Sequence, residues 1–163
     1  MEEVNTRFTG AVILSLVLAF VLTILPIRDE WILYKPEWIA LTFVHWGLVS
    51  PKNSSILLAW FVGLLVDSLY GSILGQHALG FTIVMFLTLR MRSRVMLDSF
   101  VQQIFLLFLI LGTYLLINLW ILGITGNSPS GWGYWFTVLT SLIIWPFYHY
   151  FLSIFHAVRK PFE

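Results

Sequence analysis

Six long apolar segments, separated by short polar or turn-rich stretches, make up most of the chain. They cover about residues 8–26, 36–50, 54–70, 77–90, 100–124 and 132–157. A helix needs about 20 apolar residues to cross the hydrocarbon core of a bilayer, with a range of about 17–25. The pattern therefore predicts an all-α membrane protein, with six transmembrane helices in a single domain over residues 1–163.

The first residue of the second helix can be placed at two positions. Glu37 to Val49 provides only about 13 residues, or about 20 Å at 1.5 Å per residue. The helix could begin at Trp31 and kink at Pro36, or begin at Pro36 and lie behind its neighbours. Proline suits a first helical position, because its missing N–H would have no partner there.

Composition gives an independent reason to place the chain in a membrane. Hydrophobic residues make up 59% and charged residues 10% of the sequence, and the mean hydropathy is +0.89. Soluble domains carry about 25% charged residues. The net charge of +1 gives no basic surface for nucleic acid. The absence of cysteine excludes disulfides, thiolate catalysis and cysteine-based metal sites.

Charge placement predicts the orientation. With six spans and a cytoplasmic N-terminus, the cytoplasmic basic residues are Arg7, Lys52, Arg90, Arg92, Arg94, Arg159 and Lys160, and the external ones are Arg28 and Lys35. This excess on the inside follows the positive-inside rule, so both termini are predicted to be cytoplasmic. No Ala-x-Ala-like cleavage site precedes Pro26, which favours an uncleaved signal-anchor helix.

The stretch Gly63–Gly75, GLLVDSLYGSILG, contains a carboxylate within an apolar segment. Asp67 lies about one turn, or about 5 Å, from the outer end of the third predicted helix. A charged group there must face protein or water rather than lipid. Two interpretations are open: Asp67 bonds to water or to the backbone of the following turn, or it is a polar anchor to a neighbouring helix or another subunit. Gln76 and His77 are the predicted polar partners, together with Ser68, Ser72 and the backbone amides after Gly71.

Gly71 and Gly75 have the GxxxG spacing that lets two helices approach closely. A turn interrupts the helical register here. We therefore expect these glycines to form the outer turn and the entry to the fourth helix.

Arg90, Arg92 and Arg94 form a basic cluster at the predicted inner face. Such a cluster is typical of a topology anchor, although a cytoplasmic protein partner is an alternative. Specific recognition of anionic lipid usually requires about four to eight basic residues.

Few other polar residues lie within the predicted spans. Asn118 is expected to form a hydrogen bond between helices, and His45 could do the same. His149 and His156 share a helix face but are about 10 Å apart, too far for one metal ion. Asp67 is taken as the sole acid within a span, so no paired-carboxylate site is expected. No HExxH motif, phosphate-binding loop or nucleophile elbow is present, so we predict no catalytic, cofactor or metal site.

Several motifs together resemble the MreD family of bacterial rod shape-determining membrane proteins. They are Lys35-Pro36-Glu37-Trp38, Ser50-Pro51, the pattern Gly63-x-x-x-Asp67-x-x-x-Gly71-x-x-Leu74-Gly75, and Trp145-Pro146. The resemblance implies a structural or partner-binding role for the matched residues Pro36, Asp67, Gly71, Leu74 and Gly75. It also implies a fold similar to the S components of energy-coupling vitamin transporters.

The resemblance further implies a non-catalytic scaffold in the bacterial inner membrane, within the complex that elongates the side wall. Such a protein binds MreC and, with it, links MreB filaments to a SEDS-type glycosyltransferase and a class B penicillin-binding transpeptidase. The alternative is a small-solute or lipid-binding protein of the S-component type. That alternative predicts an outer cavity lined by Asp67, Gln76, His77 and loop 27–35.

Overall fold

The computed structural model describes residues 2–26, 28–51, 54–94, 99–126 and 131–157. The long helices in these ranges are α1 (Glu2–Ile24), α2 (Trp38–Val49), α3 (Ile56–Tyr70), α4 (Gln76–Met91), α5 (Phe100–Ile124) and α6 (Phe136–Ala157). Short 3-10 helices cover Asp29–Tyr34, Arg92–Arg94 and Trp132–Trp135. The prediction that all six apolar segments are helical is confirmed.

Among the residues that the structure describes, two stretches, Phe100–Ile124 and Trp132–Ile154, are long and apolar enough to cross a membrane, judged by length and composition. Gly10–Ile24, Trp38–Val49 and Ile56–Tyr70 are shorter apolar helices. Six crossings and the cytoplasmic location of both termini therefore remain predictions.

Helix α2 is buried along nearly its whole length, from Ile39 to Leu48, and packs against α1, α4 and α6. Its twelve residues extend about 18 Å. The alternative that starts this helix at Trp31 is wrong. A proline disfavours helical geometry in the residue before it, so the preceding 3-10 helix ends at Tyr34 and α2 begins at Trp38, just beyond Pro36.

Aromatic side chains fill much of the core around α2. The Phe43 and Phe81 ring centroids are 5.7 Å apart, and Phe81 stacks on Tyr114 at 5.6 Å. The outward helix faces carry large exposed apolar side chains instead, including Val101, Trp120, Ile124, Ile143 and Phe147. An apolar exterior of this kind suits lipid or another membrane protein.

Hydrogen bonds between side chains connect the helices internally. The pairs are Ser15–Trp46 at 2.7 Å, Thr42–Tyr148 at 2.7 Å, His45–His149 at 3.1 Å, Gln76–Asn118 at 3.1 Å and Gln103–Trp145 at 3.2 Å. Such bonds contribute about 0.6 kcal/mol each on average within membranes. The prediction that Asn118 bonds between helices is confirmed.

Candidate functional site

The Asp67 side chain is fully buried and accepts hydrogen bonds at both oxygens. Oδ1 accepts from the Ser72 hydroxyl at 2.7 Å, the His77 imidazole Nδ1 at 2.7 Å and the His77 backbone N–H at 2.9 Å. Oδ2 accepts from the backbone N–H groups of Gly75 at 2.9 Å and Ala78 at 3.4 Å. We call Asp67, Ser72, Gly75, His77 and Ala78 the Asp67 cluster.

The Asp67 carboxylate caps the N-terminus of α4 from the neighbouring helix α3. The first four N–H groups of a helix lack partners within the helix, and the positive end of the helix dipole favours an anion. Gly75 is the N-cap residue of α4 and has no side chain to satisfy these groups. Asp67 supplies the missing acceptor and thereby joins α3 to α4.

The turn between α3 and α4 depends on glycine at two positions. Gly71 ends α3 with φ 61°, and Gly75 precedes α4 with φ 103°. Both values lie in the left-handed region that glycine adopts without strain. The expectation that these glycines form the turn and the entry to the fourth helix is confirmed. Leu74, between them, is 71% exposed and lies outside the Asp67 cluster.

Gly63 lies one turn before Asp67 and allows α3 and α4 to approach closely. A Cβ atom on Gly63 would overlap the backbone of Ala78 and lie 2.7 Å from the His77 carbonyl carbon. The four-residue spacing of Gly63, Asp67 and Gly71 thus has three purposes on one helix face: close approach, capping and helix termination.

His77 and Ser72 bond to Asp67 as predicted. The predictions for Gln76 and Ser68 are wrong: the Gln76 amide donates to Asn118, and the Ser68 hydroxyl donates to the Leu64 carbonyl. His45 pairs with His149, which confirms the prediction that it could form a hydrogen bond between helices.

The remaining predicted residues lie elsewhere in the fold. Arg90 and Arg92 are at the end of α4 opposite the Asp67 cluster. The side chains of Arg94 and His156 lie outside the described residues. Within those residues, no group of three or more His, Cys, Asp or Glu side chains could hold a metal ion.

A partly open cavity of about 250 Å³ adjoins the Asp67 cluster. Its polar lining residues are Thr23, Lys35, Glu37, Tyr70, His77 and Thr137. Pro36, predicted from the motif, also lines the cavity. The alternative function predicts an outer polar cavity, and His77 and loop residue Lys35 belong to it, but Asp67 and Gln76 are not among the lining residues.

Lys35 caps the C-terminal end of α1 beside this cavity. Its ammonium donates to the carbonyl oxygen of Thr23 and, at 3.3 Å, to that of Leu25. A cation is favourable at the negative end of a helix dipole. Partial burial lowers the pKa of Lys35, and the nearby Glu37 carboxylate acts in the opposite direction.

Glu37 brings a second carboxylate to this end of the bundle. Its backbone N–H donates to the Ser141 hydroxyl at 3.0 Å, and Glu37 lines the cavity. Its side chain does not cap α2. The expectation that Asp67 is the sole acid within a span is therefore wrong, because Glu37 belongs to the predicted span 36–50. The position of Glu37 at the start of an apolar segment could have identified it as a second acid at this end of the bundle.

Comparison with known proteins agrees with the motif resemblance. The model of a family described as rod shape-determining protein MreD matches residues 5–155. The chain belongs to this family. Over 63 residues it is 40% identical to the rod shape-determining protein MreD of Haemophilus influenzae (strain ATCC 51907 / DSM 11121 / KW20 / Rd), and this segment covers 39% of each protein. No solved structure matches the chain.

Members of the family are described as rod shape-determining proteins. Proteins of this family are associated with membranes, which fits the two helices that are long and apolar enough to cross one. The family is part of the shape-determining system and is not a known enzyme family.

Proposed function

We propose that this chain is a non-catalytic scaffold subunit of the bacterial side-wall elongation complex, with six spanning helices in the inner membrane and both termini in the cytoplasm. It binds MreC and links MreB filaments to the SEDS-type glycosyltransferase and the class B penicillin-binding transpeptidase. Membership of the family supports the role in rod shape, and the physical character of the bundle supports the scaffold.

The observation that carries the proposal is the contrast between the interior and exterior of the bundle. Interior polar side chains bond across helix pairs, as in Thr42–Tyr148 and Gln76–Asn118. The outward faces carry large apolar side chains. Spanning helices associate through close packing and a few polar bonds, so such an exterior suits recognition of another spanning helix.

The Asp67 cluster supports this function indirectly. Asp67 is fully buried and has no surface with which to contact a partner. It fixes the turn between α3 and α4, and this turn presents two exposed apolar side chains, Ile73 and Leu74. We therefore assign Asp67, Gly71 and Gly75 to shaping the rim, and Leu74 to contact with the partner.

Co-purification with MreC in mild detergent tests the proposal. The unchanged full chain should retain MreC, and Leu74→Gln should lower its recovery by about tenfold, the equivalent of about 1.4 kcal/mol of binding free energy. Leu57→Gln is the matched control, because Leu57 is similarly exposed but lies at the opposite end of α3. No MreC with the unchanged chain would contradict the scaffold. Equal recovery with both variants would contradict the assigned role of Leu74.

The cavity supports a second candidate function, a small-solute or lipid-binding protein of the S-component type. A concave site with a few polar groups is the usual form of a ligand site, and Lys35, Glu37 and His77 provide those groups here. This function predicts that the chain co-purifies with a bound ligand and an energising partner instead of MreC. Recovery of MreC without any ligand would exclude it.

A further inference from the structure

The cavity between the end of α1, the start of α2 and the α3–α4 turn carries charges of both signs. Its volume of about 250 Å³ would hold about eight waters at about 30 Å³ each. Lys35 and Glu37 both line it, and they interact electrostatically. A ligand that complements this site therefore needs an anionic and a cationic group.

Glu37 is the negative group and lies on the deeper side of the cavity. Tyr114, which is 1% exposed, interacts with it electrostatically. A carboxylate has about four lone-pair sites, so Glu37 suits a ligand group that carries several N–H donors.

Other polar groups on the wall add acceptors. The Tyr70 hydroxyl donates to the Thr23 carbonyl at 2.8 Å, and the Thr137 hydroxyl donates to the Leu33 carbonyl at 3.2 Å. Each hydroxyl has thus used its hydrogen and keeps acceptor lone pairs. His77 donates from Nδ1 to Asp67, and Nε2 would be an acceptor in the neutral form of this imidazole. Such a wall favours a ligand group rich in N–H donors.

Lys35 is the positive group and lies nearer the surface, at the end of α1. An ammonium has three donors. The carbonyl oxygens of Thr23 and Leu25 take two of them. Among the contacts of the described residues, this leaves a third donor for an anion.

We propose that this cavity binds a small zwitterion with a primary ammonium group and a phosphate, as in phosphoethanolamine, with the ammonium at Glu37 and the phosphate at Lys35. The inference rests on the second candidate function for ligand binding itself and adds the class of ligand. The same chemistry occurs as a phospholipid head group and as a free solute.

Native mass spectrometry of the purified full chain tests the proposal. The probes are phosphatidylethanolamine, phosphatidylcholine and phosphatidylglycerol with identical acyl chains, and free phosphoethanolamine as competitor. The quaternary ammonium of choline has no N–H to donate and glycerol has no cation. Phosphatidylethanolamine should therefore be retained about tenfold more than either, the effect of one charged hydrogen bond.

Glu37→Gln should remove this preference, because the amide is uncharged and replaces one acceptor oxygen by an NH₂ group, which cannot accept a hydrogen bond from the ammonium. Arg90→Gln, at the other end of α4, is the matched control and should keep the preference. Thr137→Val removes one acceptor with little change of shape and should weaken retention by about threefold or more. If Glu37→Gln does not fold, the result for Thr137→Val tests the proposal.

The outcomes separate the ligand chemistry from ligand binding in general. Displacement of the lipid by free phosphoethanolamine supports a soluble ligand, and retention in its presence supports the head group; both support the zwitterion. Equal retention of all three lipids, or an unchanged preference in folded Glu37→Gln, overturns the zwitterion but keeps the second candidate function. If none of the probes is retained, the proposed zwitterionic ligand is wrong. If the chain also co-purifies with no ligand, the second candidate function is wrong as well.

Discussion

Asp67 in α3 and His77 in α4 are joined twice through one oxygen: Oδ1 lies 2.7 Å from the imidazole Nδ1 and 2.9 Å from the backbone nitrogen. The backbone contact fixes where α4 begins. The side-chain contact makes Nδ1 the donor and orients the imidazole towards the cavity. One carboxylate therefore determines both the joint between two helices and part of the cavity wall.

Asp67→Leu should destabilise the bundle, because it leaves the first N–H groups of α4 without an acceptor in a buried site. We expect a loss of about 2–4 kcal/mol from combined capping and charged hydrogen bonds. Asp67→Asn keeps one acceptor oxygen and should lose about half as much. Unfolding of the purified protein by SDS in mixed micelles measures both losses.

Ser68→Ala is the control for these variants. Ser68 is the neighbour of Asp67, is exposed, and bonds to the Leu64 carbonyl within α3. Its loss should change the free energy of unfolding by less than about 0.5 kcal/mol. A stability for Asp67→Leu that equals that of Ser68→Ala would refute the capping role.

Gly63→Ala should be destabilising, because the new Cβ would overlap the Ala78 backbone, which cannot move aside like a flexible side chain. Overpacking of this kind costs about 1–3 kcal/mol. Gly112→Ala makes the same change in α5, where nothing lies within 4 Å of the new Cβ. It should be neutral or stabilising, since alanine favours helix by up to about 1 kcal/mol over glycine. Equal unfolding free energies for the two variants would contradict the close approach of α3 and α4.

Enzyme fusions test the six-span topology. Alkaline phosphatase is active only outside the cytoplasm, so fusions after Ile73 and Gly126 should be active and a fusion after Arg92 inactive. Membrane abundance of each fusion, measured by immunoblot, is the control. Activity after Arg92, or inactivity after Ile73, would mean that α2 and α3 do not both cross.

The helices could be predicted because long apolar segments have few alternatives. Helix α5 covers residues 100–124, as predicted. The position of α2 at the centre could not be predicted, because apolar composition gives a length but not the neighbours of each face. The first residue of α2 could not be predicted either, because Pro36 is compatible with a kink inside a longer helix and with the first position of a shorter one.

The Asp67–His77 contact could be predicted because a short turn keeps both residues at similar depth in the membrane. The pairing of His45 with His149 could not, since it joins residues far apart in sequence and depends on how α2 and α6 pack. The cavity could not be predicted for the same reason. Lys35 and Glu37 meet Thr23 and Thr137 there only after the helix ends assemble.

The most direct test of the account is cell shape in a deletion strain that expresses single variants of this chain at equal membrane abundance. The unchanged chain, Ser68→Ala and Gly112→Ala should restore rods. Asp67→Leu and Gly63→Ala should leave rounded cells, with MreC recovery lowered in parallel. Normal rods with Asp67→Leu and full MreC recovery would contradict the claim that the buried joint between α3 and α4 shapes the rim on which the partner docks.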